Sequence, residues 1–236
     1  MKSTYLFPAI LLAISVALAG FFIGNMHRLG KKFDRHVQVK GLSEREVPAD
    51  LAVWPMTIAL AGNNLNSLER DIEVQNREVY QFFVDQGFNE EEITRGVLNI
   101  TDAYANLYGS PGQRPEYRYQ GNSEFTVRTT DIEKLQKALT ASPELLSKGI
   151  LLGSKNSWRP IEYLYTGLND IKPAMIEEAT RNAREVAERF AQDSQSEVGD
   201  ILIARQGLFT IEDRDQSTPQ VKTVRVVSTI DFQLID

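Results

Sequence analysis

The stretch Val47–Gly87 reads VPADLAVWPMTIALAGNNLNSLERDIEVQNREVYQFFVDQG, and its change of rhythm decides the fold. From Val47 to Ala61, aliphatic, β-branched and aromatic residues fall at near-alternate positions, the pattern of a half-buried strand. Gly62-Asn63-Asn64 ends that pattern as a turn. From Leu65 to Gln86 the spacing changes. Leu65, Leu68, Ile72, Val79, Phe82 and Phe83 then share one face of a helix. Asn64 stands where an N-cap is needed, and Gly87 stands at the C′ position that stops a helix. A strand that turns into an amphipathic helix predicts a helix packed on a sheet. Pro48 and Pro55 cannot donate to a ladder, so they predict an edge or a bulge.

The same alternation of elements continues outward. Val37, Val39 and Gly41 alternate in an upstream strand. Downstream, Phe88–Glu92 reads as a solvated link, followed by strands near Ile93–Tyr104 and Tyr117–Thr129. The segment Tyr108–Pro115, YGSPGQRP, has loop composition. Asp131 caps a short helix, Ile132–Leu139, with Leu135 and Leu139 inward. Pro143 opens another helical turn at its tolerated first position. A strand pair is expected at Ile150–Ser154 and Ile161–Thr166. The strongest helix spans Ile171–Gln192. Its inner face carries Met175, Ile176, Ala179, Ala183, Val186, Ala187, Phe190 and Ala191, and the alanines imply close approach to a sheet. Val198–Ile211 and Val221–Ile235 form a last strand pair, joined by the polar run Glu212–Gln220. The order ββ-α-ββ-α-ββ-α-ββ predicts an α+β fold of antiparallel sheets with helices packed on them.

Upstream of this body lies Tyr5–Met26, YLFPAILLAISVALAGFFIGNM, with no charge between Lys2 and Arg28. A helix needs about 20 apolar residues to cross a bilayer core. The run reads either as an uncleaved anchor or as a cleaved signal with Ala17-Leu18-Ala19 before Gly20; its full length favours the anchor. The chain is thus divided into a membrane segment with a basic flank, 1–35, and a body, 36–236. Orientation is contested by charge. His27-Arg28-Leu29-Gly30-Lys31-Lys32 is the more basic flank, which by itself favours a cytoplasmic body.

Net charge is −6 over 236 residues. In residues 1–35, five basic residues against Asp34 give +4, so the body carries −10. That acidity argues against nucleic acid as a partner, since phosphate contacts need a basic face. Cysteine is absent, which excludes disulfides, thiol catalysis and cysteine-ligated metals.

The search for chemistry returns little. The two histidines, His27 and His36, both lie beside the membrane segment, so the body has no Ser-His-Asp triad and no histidine metal site. Glu90-Glu91-Glu92 lacks the spacing of a calcium loop and reads as solvated surface. Asp50 reads as a turn cap. Trp54, Trp158, Tyr163 and Tyr165 read either as sheet core or as the lining of a pocket. Tyr108, Arg114, Tyr117 and Tyr119 make the most recognition-like loop. No catalytic, cofactor-binding or metal-binding residue is identified.

The order of these phrases resembles the SIMPL-domain family of bacterial envelope proteins. The resemblance rests on Val37-Gln38-Val39-Lys40-Gly41 leading to Val47–Ala52, on Gly87–Thr94, on the strand, aspartate and helix of 117–139, and on the alanine-rich helix 174–191 followed by Val198-Gly199-Asp200-Ile201. It departs at Pro48-Ala49-Asp50, where an alanine separates the expected pair. The resemblance implies a periplasmic or envelope-anchored protein linked to stress tolerance, with no accepted catalytic residues. It turns the orientation toward a periplasmic body on a single-pass inner-membrane anchor, the alternative being a soluble periplasmic protein after cleavage. The expected function is non-enzymatic, by self-assembly into a homo-oligomer or by binding another envelope protein. The competing expectation is a small-ligand-binding or carboxylate-dependent enzymatic domain.

Overall fold

The computed structural model describes residues 14–22, 35–105, 115–154 and 161–235. Residues 14–22 form helix α1, with Ile14, Val16, Leu18, Phe21 and Phe22 exposed. The remainder of the apolar run Tyr5–Met26 lies outside the described residues. Among the described residues no helix is long and apolar enough to cross a membrane.

The body is α+β, and its chain divides into two compact units. One unit takes Met1–Arg45, Asp170–Thr210 and Val224–Asp236; the other takes Glu46–Asn169 and Ile211–Thr223. Among the described residues the strands occur in groups of two, three, two and three between helices.

The second unit is built on β2 (Leu51–Gly62) and β5 (Tyr119–Thr129), an unbroken antiparallel pair from Ala52↔Thr129 to Gly62↔Tyr119. Each has a broken outer neighbour. β3 (Ile93–Arg95) and β4 (Asn99–Asp102) follow one another along β5, their registers offset by one residue. They are the predicted 93–104 strand with a bulge in it. β6 (Leu152–Gly153) and β7 (Glu162–Leu164) both pair with β2, correcting the expectation that they pair with each other. Among the described residues no strand pairs with β2 at Pro55 on that side, which fits a proline in a central strand. Pro48 marks the end of β1 (His36–Pro48).

One face of this sheet is buried. Ala52, Trp54, Met56 and Ile58 alternate along β2, and Phe125 and Val127 stand opposite on β5. Helix α2 (Leu65–Asp85) lays Val79, Phe82 and Phe83 on them, while α3 (Ile132–Ala141) adds Leu135 and Ala138, and α4 (Pro143–Ser147) adds Leu145. Trp54, Phe82 and Phe88 each meet the Phe83 ring edge-on at 5.2–5.6 Å. The caps form as predicted: Asn64 accepts from the Ser67 N–H, Asp131 accepts from the Lys134 N–H, and Gly87 has φ +86°. Two details correct the sequence reading. Leu65, at the first turn of α2, is exposed, and Phe88 belongs to the core rather than to a solvated link.

The first unit carries a sheet ordered β1-β10-β8, where β8 is Glu197–Gln206 and β10 is Val221–Ile235. β9 (Thr210–Asp213), which but for Thr210 belongs to the second unit, pairs with β10 and occupies the start of the predicted polar connection. Helix α5 (Leu168–Asp193) buries Met175, Ala179, Ala183, Ala187 and Ala191, one every four residues. Small side chains there let the backbones meet. A Cβ added to Gly41 on β1 would lie 1.8 Å from the Ala179 carbonyl oxygen. The sequence reading placed Val186 and Phe190 on the inner face too; both are exposed.

Candidate functional site

In the second unit the end of β7 with the residue that follows it, Tyr163–Tyr165, and the β9–β10 hairpin line a cleft of about 650 Å³. That is within the ordinary range for small-molecule sites. The corner Pro48-Ala49-Asp50 ties both walls together. The Asp50 carboxylate accepts hydrogen bonds from the Thr166 N–H (2.8 Å), the Thr166 hydroxyl (3.1 Å) and the Gly167 N–H (2.9 Å). Its own N–H donates to the Leu164 carbonyl at 3.0 Å, and the Ala49 N–H donates to Gln220 at 2.8 Å. Asp50 is therefore a turn cap, as read from sequence, and it fixes the wall that carries Tyr163 and Tyr165.

Tyr163 is nine-tenths buried, its ring in the core and its side lining the cleft. Burial pushes its hydroxyl above the ordinary tyrosine pKa, so it stays protonated at neutral pH. Tyr165 lines the same wall, with its hydroxyl donating to the Gly167 carbonyl at 3.0 Å.

The opposite wall is charged. Asp213 on β9 and Lys222 on β10 form a short ion pair that is mostly buried. Beyond it the loop is held by Asp215, which accepts from the N–H groups of Ser217 (2.7 Å) and Thr218 (2.8 Å) and from the Thr218 hydroxyl (2.6 Å). The Thr218 hydroxyl bond is the largest influence on Asp215. Together with the N–H groups and Arg214 it holds the carboxyl down at about 2, against the opposing effect of desolvation. Arg214 is itself taken up by Glu46 and Asp215, both at 3.2 Å. Glu212 and Gln216 line the rim.

The other residues singled out from sequence fall elsewhere. His36 begins β1, and His27, Trp158, Tyr108 and Arg114 lie outside the described residues. Trp54 is core. Tyr117 is exposed, and Tyr119 starts β5 with the Arg118 guanidinium 5.0 Å from its ring centre. Glu92 is no cation site: it accepts from Lys134 (2.7 Å), from the Thr129 hydroxyl and from the Asn89 N–H (2.9 Å). Desolvation would raise its pKa, but those donors outweigh it and the carboxyl sits below its ordinary value. Among the described residues no group of three or more histidine, aspartate or glutamate side chains is placed to hold a metal.

Sequence reasoning missed Asp213, Lys222 and Glu212. Asp213 and Lys222 flank a turn-rich run, and hairpin pairing would have set them opposite each other. The cleft offers hydrogen bonds, charge and aromatic surface, a set suited to recognition.

A family model described as SIMPL, protein of unknown function (DUF541), matches residues 37–230. No curated protein matches the chain.

Proposed function

Because the chain belongs to the SIMPL family, we propose that it is a non-enzymatic envelope protein that works by self-assembly, its body in the periplasm and its apolar run Tyr5–Met26 serving as anchor. The family resemblance supplies the setting, envelope stress tolerance. One observation supports assembly. Strand β8 lies at the edge of its sheet, with β10 as its one neighbour among the described residues. It carries Ile201, Leu202 and Ile203 exposed at 41%, 46% and 44%. Edge strands of monomeric proteins are normally blunted by proline, by inward lysine or by a covering element. β8 has no proline and no lysine. Its two register shifts against β10 fall in its first half, and Ile203–Gln206 keeps a regular ladder.

The occupant that fits is β8 of a second copy. The strand has Glu197 and Asp200 toward its start and Arg205 toward its end. Antiparallel pairing about a two-fold axis brings the acidic end of one strand beside the basic end of the other and joins the apolar centres.

The absence of cysteine makes a direct test available. Single cysteines are placed along 198–206 in the full chain in detergent micelles and oxidised. Residues facing themselves across a two-fold have Cα atoms about 4.5–5.5 Å apart, within disulfide reach. Cross-linking is expected to peak at one position between 201 and 205 and to fall away on either side. Ile203→Lys is expected to convert the oligomer to a monomer with an unchanged circular dichroism spectrum. An oligomer that survives Ile203→Lys, or uniform cross-linking along the strand, would overturn the proposal.

A further inference from the structure

We infer that the open face of the first unit's sheet rests on an anionic bilayer surface. This rests on the anchor and assembly reading above and names the partner of a face that reading leaves in solvent. Side chains alternate along a strand, so the sheet has two faces. One carries Val39, Ile230 and Phe232 and packs against Ala183 and Ala187 of α5. The other is marked by Asp231, which accepts from the Gln38 side chain at 2.7 Å and has the Arg205 guanidinium at 3.8 Å. On that face Lys40, Leu42 and Glu44 of β1 are exposed, as is Arg225, which alternates with the buried Val224 and Val226 of β10. Three cations, Lys40, Arg205 and Arg225, thus stand against two acids, Glu44 and Asp231, a sum of +1 in a body that carries −10. Helix α5, which makes the opposite surface, has six acids against four bases, a sum of −2. Of the two surfaces, the open face is the one that anionic headgroups attract.

The tether and the two-fold bring that face to the lipid. The apolar run ends at Met26 and β1 begins at His36, so nine residues, 27–35, join them. Nine residues span at most about 30 Å, which keeps the first unit beside the bilayer. An antiparallel pair of β8 edges has its two-fold axis perpendicular to the strands and to the sheet. Two copies anchored in one bilayer meet it equivalently only when that axis lies along the bilayer normal. The paired sheets then lie flat, and either α5 or the open face turns to the lipid. Charge selects the open face, and its exposed apolar members, Leu42 and Ile203, suit contact at headgroup level.

The test uses the full chain in vesicles of phosphatidylcholine and phosphatidylglycerol, with a nitroxide on the headgroup of a tracer lipid. The chain has no cysteine, so Leu42→Cys and Arg181→Cys each take one bimane fluorophore. Arg181 is exposed on α5, about 200° round the helix axis from the buried Ala179. Flotation with the vesicles reads the anchor, and cysteine cross-linking along 201–205 in the same vesicles reads the pairing. The nitroxide is expected to quench the probe at 42 about threefold more than the probe at 181. Raising the salt, or leaving out phosphatidylglycerol, is expected to bring the two together. Lys40→Glu with Arg225→Glu takes the face from +1 to −3 and is expected to do the same in a chain that still floats, its fold checked by circular dichroism. In a chain that floats and pairs, equal quenching of both probes at low salt, stronger quenching at 181, or a difference indifferent to salt and to the two substitutions would overturn the inference alone. A chain that fails to float or to cross-link would overturn the reading beneath it, and the inference with it.

Discussion

Gly41→Ala tests the closest approach in the first unit. A Cβ at Gly41 would lie 1.8 Å from the Ala179 carbonyl oxygen, 2.6 Å from the Ala183 nitrogen and 2.9 Å from the Ala179 carbonyl carbon. Ordinary carbon–oxygen contact is near 3.3 Å, so β1 and α5 must separate by roughly 1.5 Å. The obstacle is backbone, which no rotamer change relieves. Separation would loosen a stripe that includes Ala179, Ala183 and Ala187, all fully buried. Overpacking of this kind costs about 1–3 kcal/mol, and a backbone collision belongs at or above the top of that range. With a slope of about 2 kcal/mol per molar urea, a loss of about 3 kcal/mol lowers the midpoint by about 1.5 M. The assay is urea unfolding of the full chain in detergent, followed by circular dichroism.

Two other glycines serve as controls. Gly62→Ala meets nothing closer than Leu68 Cβ at 3.8 Å and has ordinary φ, so it should leave the midpoint unchanged or slightly raised. Gly87→Ala meets nothing within 4 Å but has φ +86°, and should cost about 1–2 kcal/mol through its backbone alone. Ala183→Gly should not rescue Gly41→Ala, because the collision is with main-chain atoms. If Gly41→Ala unfolds within about 0.3 M of Gly62→Ala, the reasoning about helix and strand spacing is wrong.

Three further outcomes are expected. Asn64→Ala removes the side chain that accepts from Ser67 N–H and should cost about 1 kcal/mol, whereas Asn64→Asp should be tolerated; the same urea assay reads both. Glu92→Gln leaves the half-buried Lys134 ammonium without its counter-charge. It should cost about 1–2 kcal/mol, with Glu92→Gln plus Lys134→Met costing less than the two singles added, as a double-mutant cycle would show. Acid should destabilise the fold. The carboxyls of Glu92, Asp102, Glu178 and Asp215 sit below their ordinary values of 4.5 for glutamate and 3.8 for aspartate, so each stabilises the native state above those values. That stability is lost as pH falls from about 4.5 toward Asp215's value of about 2, and thermal melts should show a falling midpoint across this window. A midpoint that rises between pH 5 and 3 would contradict the assignment.

The helices were legible because their signals are local. Asn64, Gly87, Asp131 and Pro143 each act within one turn, and each performs the role its position predicts. The inner face of α5 was read too wide. Relative to Ala187, Val186 lies about 100° and Phe190 about 60° around the helix axis. A stripe of alanines brings the helix so near its sheet that the contact arc narrows, and larger side chains at its border stay outside. Residue spacing records the direction of the face but not the depth of approach. The cleft was illegible for a different reason. Tyr163 is far along the chain from the hairpin of Glu212, Asp213 and Lys222, and the two walls are tied together by hydrogen bonds of Ala49 and Asp50. Asp50 was readable as a turn cap, but nothing local says which turn it closes.

Strand β8 supplies the remaining step. Three consecutive apolar residues in a strand predict burial on both faces, and by sequence Ile201-Leu202-Ile203 belongs inside a sheet. The fold places them at an edge, exposed, while the neighbouring β10 buries Val224, Val226, Ile230 and Phe232. Local pattern and global position normally agree in a natural protein, and the places where they disagree are enriched in function. In the second unit the inward residues of β2 and β5 are covered by α2 and α3, so β8 is the strand where this disagreement is plainest among the described residues. An exposed β8 left unpaired would template indiscriminate association. The proposed pairing with its own copy would turn the same chemistry into a closed interface, because an antiparallel pair about a two-fold axis consumes both edges and leaves none. The proposed assembly through β8 would thus reconcile a sequence written for burial with a strand that the described residues leave in solvent.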